Sequence, residues 1–380
     1  MTNKLPIGWT LKRLGDITER ITRKNTINNN NVLTISAEHG FISQDKFFTK
    51  IVASKDLSKY ILLYKGDFCY NKSYCRGYPY GVFRKLKNYD VGVATSLYIY
   101  FKIIEGDSTF FEYLFDVGTL NKQLSIISQE GVRNHGLLNV PIEDFFNMTV
   151  PFPPIDEQKR IADILSTFDD LIENLKKLIE KKELYKKGIM QRVLSSEVRF
   201  NGFKDEWEFK SLEELCNIKK GEQKNKLDLI ENGEYPVLSG GMDFSGYYDS
   251  YNREANTITI SEGGNSCGYV NFIKTKFWAS GHCYTLHDVN IDVAFLYQCL
   301  KYNENKIMKL RLGSGLPNIQ LSYIREYTLK IPPSIEEQKK IAELLTLIDK
   351  DIEILKQLLH LRKLQKKGVM QKLLTGEVRI

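Results

Sequence analysis

The sequence has no hydrophobic run that approaches the ~18 residues a membrane-spanning helix requires, and its first residues, MTNKLPIGWT, lack the apolar stretch of a secretion signal. A soluble, cytoplasmic protein is therefore expected. Tracts rich in glutamine, serine or proline are also missing, and only 10 of the 380 residues are proline. With 42% hydrophobic and 27% charged residues, the composition indicates a globular chain of about two to four domains.

Closely paired cysteines are absent, since the 6 cysteines, at positions 69, 75, 216, 267, 283 and 299, form no CxxC motif. Structural zinc sites usually bring two closely spaced ligand pairs, and a disulfide framework is not expected in a cytoplasmic chain of this length. Cys267, His282 and Cys283 leave a weak metal-binding alternative open. We expect no metal ion on this chain.

Catalytic signatures are missing as well. The sequence has no Walker A loop, GxxxxGK[ST], and no Asn/Asp-Pro-Pro-aromatic tetrapeptide of the kind expected in an amino-methyltransferase. Residues 263–268 and 313–315 are rich in glycine but are interpreted as turns or as sites where another backbone approaches closely. Residues 157–159 and 337–339 have the ExK spacing of many nucleases, but each follows a proline pair, so helix capping is the preferred interpretation. We therefore predict no catalytic residue and no cofactor bound to this chain.

The main positive feature is a segment of about 48 residues that occurs twice. PPIDEQKRIADIL, from Pro153, returns as PPSIEEQKKIAELL, from Pro332. KKGIMQRVLSSEVRF, which ends at Phe200, returns as KKGVMQKLLTGEVRI, which ends at Ile380. This repeat predicts a scaffold that is built twice within one chain.

A fainter similarity opens each half, where WTLKRL begins at Trp9 and WEFKSL begins at Trp207. The sequences between these marks, residues 22–152 and 222–331, differ nearly everywhere. Similar flanking segments around dissimilar central sequences predict a constant scaffold that carries two variable domains. The predicted segments are a first variable domain (1–152), a central helix (153–200), a second variable domain (201–331) and a C-terminal helix (332–380).

Apolar residues in both copies recur every three or four positions, which is typical of a helix with a narrow apolar seam. The seams consist of Ile161, Leu165, Phe168, Ile172, Leu175 and Ile179, and of Ile341, Leu345, Ile348, Ile352, Leu355 and Leu359. Each helix would have about 38 residues and a length of roughly 55 Å. Two matching seams favour an antiparallel coiled coil with pseudo-two-fold symmetry, and packing of each helix on its own domain is the alternative. The predicted fold class is α+β, with two globular α/β domains separated and joined by two long helices.

The net charge of +7 favours an anionic partner. Six lysines of the first helix are nevertheless interpreted as a solvated face and not as a DNA contact: Lys176, Lys177, Lys181, Lys182, Lys186 and Lys187. Gly188 and Gly368, inside the helical ends, are interpreted as positions where a partner backbone approaches closely.

The first variable domain contains KGDFCYNKSYCRGYPYGVFRKLKNYDVGVATSLYIYF from Lys65, which resembles two strands flanking a turn-rich loop. The β-branched and aromatic pattern of strands is found in the Ile-Leu-Leu-Tyr stretch from Ile61 and in Tyr98 to Phe101. Amide, hydroxyl and guanidinium groups in this loop are suited to reading base edges in a DNA groove, although a solvent loop would also be polar. A second polar loop follows at residues 131–136. The predicted DNA-contacting residues are Asn71, Lys72, Ser73, Tyr74, Arg76, Tyr78, Tyr80, Arg133 and Asn134.

The second variable domain has its own polar, glycine-containing loops, in GYYDSYNRE, SEGGNSCGYV and RLGSGLPNIQ. Core packing is the alternative interpretation of its tyrosines. Because these loops share little identity with those of the first domain, the two domains should read different sequences. The predicted contacts to phosphates or bases are Tyr247, Tyr251, Arg253, Asn265, Ser266, Lys274, Lys276, Arg311, Ser314 and Asn318.

Taken together, the doubled PPIDEQKRIADIL and PPSIEEQKKIAELL openings, the KKGIMQRVL and KKGVMQKLL endings, the GWTLKRLGDI and EWEFKSLEEL starts, and KGDFCYNKS with GYPYG closely resemble the specificity (S) subunit of Type I restriction-modification systems. The resemblance covers essentially the whole chain. It implies two target-recognition domains that bind the two halves of a bipartite double-stranded DNA site, with the helices as a ruler between them.

The resemblance also implies partners. Family members assemble with two methyltransferase (M) subunits, which use S-adenosylmethionine to methylate adenine at N6, and with two motor-nuclease (R) subunits, which hydrolyse ATP. S-adenosylmethionine, ATP and Mg²⁺ are therefore expected on partner subunits and not on this chain. Two alternatives stay open: a self-contained nuclease or methyltransferase, and a coiled-coil adaptor whose domains bind protein.

Overall fold

The structure, a computed structural model, describes residues 5–47, 56–73, 77–130, 136–313, 315 and 317–380. The chain forms two compact units, here called the first unit (Met1–Asn174 with Leu359–Ile380) and the second unit (Leu175–Leu358). Each unit therefore combines one variable domain with parts of both repeated helices. Within the described ranges, no helix has the length and hydrophobicity that a membrane crossing requires.

The helices and strands of the first half of the chain are, in order, β1 (Thr10–Arg13), α1 (Leu14–Ile17), β2 (Thr18–Arg20), β3 (Leu33–Ser36), β4 (Gly40–Ser43), α2 (Gln44–Phe47), β5 (Ile61–Tyr64), β6 (Phe68–Asn71), β7 (Val82–Lys85), β8 (Val91–Ala94), β9 (Ile99–Ile103), α3 (Ser108–Asp116), α4 (Asn121–Ile127), β10 (Gln129–Glu130), β11 (Leu138–Asn139), α5 (Ile142–Asn147), β12 (Thr149–Phe152) and α6 (Ile155–Leu194).

The second half contains β13 (Glu208–Ser211), α7 (Leu212–Leu215), β14 (Asn217–Lys220), a 3-10 turn (Lys226–Asp228), β15 (Tyr235–Leu238), β16 (Gly246–Tyr248), β17 (Thr257–Ser261), β18 (Val270–Ile273), β19 (Trp278–Ala279), β20 (Cys283–His287), α8 (Val293–Met308), α9 (Leu321–Arg325), β21 (Thr328–Ile331) and α10 (Ile335–Leu374).

The two variable domains share the strand order of their four-stranded sheet despite their different sequences. The first contains an antiparallel four-stranded sheet in the order β2-β9-β6-β7, and the second contains one in the order β14-β20-β17-β18. A helix packs on the last strand of each sheet, α3 on β7 and α8 on β18. The two stretches of the first domain that were predicted as strands are strands β5 and β9, of which β5 pairs with β8 and β9 pairs with β2 and β6. The structural repeat therefore extends into the segments where the sequences diverge.

The opening segments of the two halves also fold alike, which confirms the faint similarity of their sequences. Strand β1 pairs with β12, and β13 pairs with β21. In each case the strand leads directly into a one-turn helix whose first residue, Leu14 or Leu212, is fully buried. Each variable domain is thus closed by pairing its first strand with the strand that precedes a long helix.

The two domain cores differ in chemistry. In the first unit the core is rich in aromatic rings, and the ring centroids of Phe83 and Phe115 lie 4.6 Å apart. In the second unit the corresponding core is mainly aliphatic, with Ile258, Ile260 and Leu296 buried. The same strand order is therefore filled by different side chains.

The two long helices, α6 and α10, have 40 residues each, which corresponds to about 60 Å at 1.5 Å per residue. In the first unit, Leu165 near the start of α6 shares a core with Leu373 at the end of α10. In the second unit, Leu345 near the start of α10 shares a core with Val193 at the end of α6. The helices therefore pack against each other and against the domains, so the two packing alternatives are combined.

Ion pairs establish the antiparallel order of the helices within each unit. In the first unit Asp169 binds Lys366 at 2.5 Å. In the second unit Asp349 binds Lys186 at 2.6 Å and Asp351 binds Lys182 at 3.0 Å. As the numbering rises along one helix it falls along the other, which confirms the predicted antiparallel arrangement. The lysine run is not merely a solvated face, because two of its members form these interhelical pairs.

The EQK motifs lie in the first turn of each long helix, as predicted, and they also make contacts beyond the helix start. Gln158 is fully buried, its Nε2 donates to the carbonyl of Pro153 at 2.8 Å, and its Oε1 accepts from the backbone N–H of Asp107 at 2.8 Å. Gln338 makes the same two bonds to Pro332 and Asp292. The motif therefore joins each long helix to its own domain.

The two helical glycines are in open surroundings. A Cβ atom built on Gly188 or Gly368 would meet nothing within 4 Å among the described residues. The close approach predicted there is not made by the part of this chain that the structure describes.

Candidate nucleic-acid interface

In each unit, two polar loops that are far apart in sequence meet at one place, here called the loop junction. In the first unit the backbone N–H of Leu138 donates to the carbonyl of Lys72 at 2.9 Å, and Ser73 forms a β-bridge with Leu137. This contact joins the loop after β6 to the loop that contains residues 131–136. Both loops were predicted from sequence as DNA-contacting segments.

The second unit repeats this arrangement. The backbone N–H of Ile319 donates to the carbonyl of Glu262 at 2.9 Å, and Gly263 forms a β-bridge with Asn318. The loop after β17 thereby meets the loop around residues 311–318. Because β6 and β17 hold the same place in their sheets, the two loop junctions are structurally equivalent.

Several predicted contact residues at the first loop junction are already engaged within the fold. Asn71 is buried, its Nδ2 donates to the carbonyl of Ile35 at 2.9 Å, and its Oδ1 accepts from the backbone N–H of Ser73 at 2.9 Å. In this conformation the Asn71 amide is used to tie β6 to β3. Lys72 and Ser73 are half-buried. Tyr74, Arg76, Arg133 and Asn134 lie outside the described residues.

Two of the predicted tyrosines of the first loop, Tyr78 and Tyr80, make contacts within the fold. The carbonyl of Tyr80 accepts a hydrogen bond from the Tyr70 hydroxyl at 2.7 Å, and the Tyr80 ring packs against the core. The ring of Tyr78 lies 5.7 Å from the guanidinium carbon of Arg84. Both tyrosines are half-buried, so packing accounts for part of each side chain.

At the second loop junction, the predicted residues Asn265, Arg311 and Asn318 are exposed. Ser266 is half-buried, and its hydroxyl donates to the carbonyl of Gly240 at 2.7 Å. Ser314 lies outside the described residues. The structure thus brings together polar groups from three separate loops.

The second loop junction also contains a buried carboxylate that sequence reasoning missed. Glu262 is only 5% exposed and accepts hydrogen bonds from Lys220 Nζ at 2.6 Å and from the Tyr284 hydroxyl at 3.1 Å. The Nδ1 atom of His282 lies 3.3 Å from its other oxygen. Burial alone would raise the pKa of Glu262, but the hydrogen bond and charge of Lys220, together with the hydrogen bonds of Tyr284 and His282, lower the pKa below the usual 4.5.

A second group of predicted residues lies around strands β15 and β16. Lys276 donates to the Tyr251 hydroxyl at 2.7 Å and lies 4.1 Å from the centroid of the Tyr251 ring. The hydrogen bond to Tyr251 raises the pKa of Lys276, which keeps its positive charge. Tyr247 and Lys274 are exposed. These groups offer cations and aromatic faces of the kind that bind nucleic acids.

Lys224 is a further cation that the sequence did not single out. Its Nζ lies 3.8 Å from the ring centroid of Tyr248 and 4.2 Å from that of Trp278, and the Trp278 indole donates to the carbonyl of Glu222 at 2.9 Å. A lysine between two aromatic rings is held by cation–π attraction, which depends on strand pairing that local sequence patterns do not reveal.

The predicted contact residue Arg253 is hydrogen-bonded within its own domain. Its guanidinium donates to the Thr285 hydroxyl at 2.9 Å, to the carbonyl of Asn252 at 2.7 Å and to the carbonyl of Lys220 at 2.9 Å. All three nitrogens therefore bind groups of the same domain. In this conformation Arg253 holds strands β14 and β20 together.

The weak metal-binding alternative finds no support in the described ranges, where no group of three or more His, Cys, Asp or Glu side chains is arranged to hold a metal ion. Cys267 donates to the carbonyl of Glu262 at 3.1 Å. Cys283 is buried, which raises the pKa of its thiol to about 12. Both thiols are packed within the domain.

Comparison with known proteins identifies the class. Residues 6–183 and 204–361 each match the sequence profile of the family described as "Type I restriction modification DNA specificity domain". These two matches account for most of the chain, one in each half. The chain therefore belongs to this family, as its resemblance predicts.

Individual relatives agree with this assignment. The chain is 36% identical over 172 residues to a putative type I specificity subunit of Mycoplasma pneumoniae, covering 44% of this chain and 46% of that protein. It is 29% identical over 280 residues to the specificity subunit of the MjaVIII type I restriction enzyme of Methanocaldococcus jannaschii, covering 64% and 65%. The chain thus spans less than two thirds of the length of these curated relatives.

A solved structure shows the same fold. The S subunit of a Type-I restriction-modification system from M. genitalium superposes with a TM-score of 0.66 over 98% of both chains, at 19% sequence identity. This likeness covers both domains and both long helices, and confirms the predicted fold class.

Proposed function

We propose that this chain is the DNA-reading specificity subunit of a Type I restriction-modification complex. Each variable domain reads one half of a bipartite site in double-stranded DNA. The observation that carries the proposal is the pair of loop junctions, which occupy equivalent places on one topology but have different residues. Equivalent placement with different chemistry is suited to reading two different half-sites.

Methyltransferase and motor-nuclease subunits are the proposed partners, and adenine-N6 methylation and ATP-dependent cleavage are assigned to them. S-adenosylmethionine, ATP and Mg²⁺ would bind to those partners. The chain itself supplies sequence recognition, without catalysis of its own. Its polar loops bind base edges and its lysines bind phosphates, because cations set affinity and base-edge contacts set specificity.

The helices are proposed to determine the gap between the half-sites. Helix α6 contributes residues to both units, and so does α10. Removing one heptad from each, residues 171–177 and 351–357, shortens each helix by about 10 Å, which corresponds to about three base pairs. We expect the spacer to shorten by that amount, or methylation to cease, while any remaining half-sites stay unchanged.

The decisive experiment is to co-express the chain with the methyltransferase encoded beside it, in a host without DNA methylation. N6-methyladenine is then mapped across the genome by single-molecule sequencing, with the methyltransferase alone as control. A split motif with a fixed gap that depends on this chain supports the proposal. A stable complex without any methylation motif contradicts it, and a protein partner bound without DNA would favour the adaptor alternative.

A further inference from the structure

The network around Glu262 is a feature that the general fold does not require. By the matching bridges and backbone bonds of the two loop junctions, the residue of the first unit that corresponds to Glu262 is Lys72. The first unit thus has a lysine at the place of this carboxylate. Because burying a carboxylate is unfavourable unless its partners compensate, Glu262 indicates a task specific to the second domain.

Glu262 holds two side chains that reach solvent. The side chains of Lys220 and His282 are 50% and 64% exposed, while that of Glu262 is 7% exposed. Lys220 ends β14 and His282 precedes β20, so the two come from neighbouring strands of the sheet. The carboxylate therefore holds Lys220 at its Nζ atom and His282 at the Nδ1 edge of its ring, while half or more of each side chain is exposed to solvent.

The geometry determines which edge of the imidazole is available. For Nδ1 of His282 to bond to the Glu262 carboxylate at 3.3 Å, Nδ1 must carry a proton. The Nε2 atom, on the opposite edge of the ring, is then the one available for a further hydrogen bond. A ring held at one edge and exposed at the other is suited to contacting a base edge in a groove.

The surrounding backbone is tightly packed, which limits movement of the site. The backbone N–H of Glu262 donates to the carbonyl of His282 at 3.0 Å. Gly240 has a φ of +84°, and a Cβ there would collide with the carbonyl of His282. A Cβ on Gly281 would lie 2.7 Å from Oε1 of Gln223. These close approaches hold His282 and the loop of Lys220 at one position.

More positive charge lies beside this network. The loop that follows Lys220 is fastened to β19, because the backbone N–H of Glu222 donates to the carbonyl of Ala279 at 2.9 Å and that of Lys224 donates to the Ser280 hydroxyl at 3.3 Å. This loop carries Lys224, the cation held between two aromatic rings. A phosphate backbone is the ligand that this charge favours.

We infer that Lys220 and His282 contact DNA at the second half-site, Lys220 at a phosphate and His282 at a base edge, and that Glu262 is the positioning residue for both. The inference rests on the proposed function and adds three residues to it. None of the three was among the contacts predicted from sequence.

The first test is the methylation map of the His282→Ala variant, made with the full chain and its methyltransferase. We expect discrimination at one base pair of the second half-site to fall about tenfold, because one base contact is lost, while the first half-site stays unchanged. The matched control is His360→Ala, which removes an exposed histidine of α10 and should leave the motif intact. An unchanged motif in the His282→Ala variant overturns the assignment of His282.

The second test measures binding of the complex to a duplex that carries the mapped motif, at salt concentrations between about 50 and 200 mM. Lys220→Ala should weaken binding equally for all sequences and reduce the slope of log K against log salt by about 1. Lys204→Ala, an exposed lysine in the same unit, is the control. An unchanged slope refutes the phosphate contact.

The third test separates positioning from mere stability. Glu262→Gln should relax the same base pair as His282→Ala, and combining the two changes should relax it no further. Additive effects, or equal losses at both half-sites, overturn the positioning role. If the wild-type chain directs no split motif, the proposed function fails and this inference fails with it. If the wild-type chain directs a split motif and the variants direct the same motif, this inference fails while the proposed function stands.

Discussion

The two long helices begin with the same motif, but only the first copy includes a hydrogen bond from a tryptophan to the motif's glutamate. In the first unit, Glu157 binds Arg379 through two bonds of 2.5 and 2.8 Å and also accepts from the Trp9 indole at 3.1 Å. In the second unit, Glu337 binds Arg199 at 2.8 and 2.7 Å. The Trp207 indole N–H is buried there and has no hydrogen-bond partner in the described part of the chain.

This difference shows how a duplicated element has diverged. The carboxylate and the arginine are shared, so each helix start is fastened to the segment that follows the end of the other helix. The indole bond is present in one copy alone. Since an unsatisfied buried donor is unfavourable, we expect the first helix start to be the more stable of the two. Paired substitutions in the two copies can test this comparison directly.

The largest expected effects are in the shared cores. Leu165 and Leu345 are equivalent and fully buried, so Leu165→Ala and Leu345→Ala should each reduce the free energy of unfolding by about 3 kcal/mol. Calorimetry of each variant provides the measurement. Leu361→Ala, at an exposed position of α10, should cost less than about 0.5 kcal/mol. A strong imbalance between the two core variants would show that the helices are not packed equivalently.

The next largest effect is expected from removing the two glutamate carboxylates at the helix starts. Glu157→Ala and Glu337→Ala should both lower the melting temperature, because each removes the buried partner of an arginine. The fall should be about 2 to 4 °C greater for Glu157→Ala, since the Trp9 hydrogen bond is lost as well. Equal shifts would mean that the indole bond contributes nothing to the first helix start.

Substitutions of the two tryptophans test the indole hydrogen bond by itself. Trp9→Phe and Trp207→Phe remove similar volumes, but only the first breaks a hydrogen bond. The loss in unfolding free energy should therefore be about 1 to 2 kcal/mol greater for Trp9→Phe. Urea denaturation followed by circular dichroism can resolve a difference of this size. The opposite order would contradict the assignment of Trp207 as an unsatisfied donor.

The smallest effect is a dependence on pH with opposite signs in the two units. The pKa of Glu262 lies below its usual 4.5, so its ionised form stabilises the fold above that pH and the benefit is lost as the pH falls below it. Burial raises the pKa of Asp67 in the first unit above 3.8, so its ionisation opposes folding as the pH rises. Melting temperatures between about pH 3 and 7 should therefore diverge in opposite directions for Glu262→Gln and Asp67→Asn, each compared with the wild type.

Much of the scaffold was predictable because its signals are local. The three- and four-residue spacing that includes Ile161, Leu165 and Ile172 was enough to predict a long helix, and its repetition 180 residues later predicted an antiparallel partner. The β-branched and aromatic residues of the stretches at Ile61 and Tyr98 predicted strands, which β5 and β9 confirm. The positions of the polar loops were also predictable from their composition.

The site is less predictable because its contacts connect distant parts of the chain. Lys220 and His282 are 42 and 20 residues from Glu262, and only the pairing of β14, β20 and β17 brings them together. Asn71 has the side chain of a base reader, yet strand packing buries it and satisfies its amide. Residue type indicates what a side chain can bind, whereas burial determines whether it is available.

The sequence by itself determined the doubled architecture and the presence of two long helices, since these follow from periodicity and repetition along the chain, and its motifs carried the resemblance to the family. The tertiary structure decided that the divergent domains share the order of one four-stranded sheet, that Glu157 and Gln158 join helix to domain, and that the loop junctions are equivalent. The physical reason is that strand register and burial arise from many weak contacts between residues far apart in sequence, which no local pattern encodes.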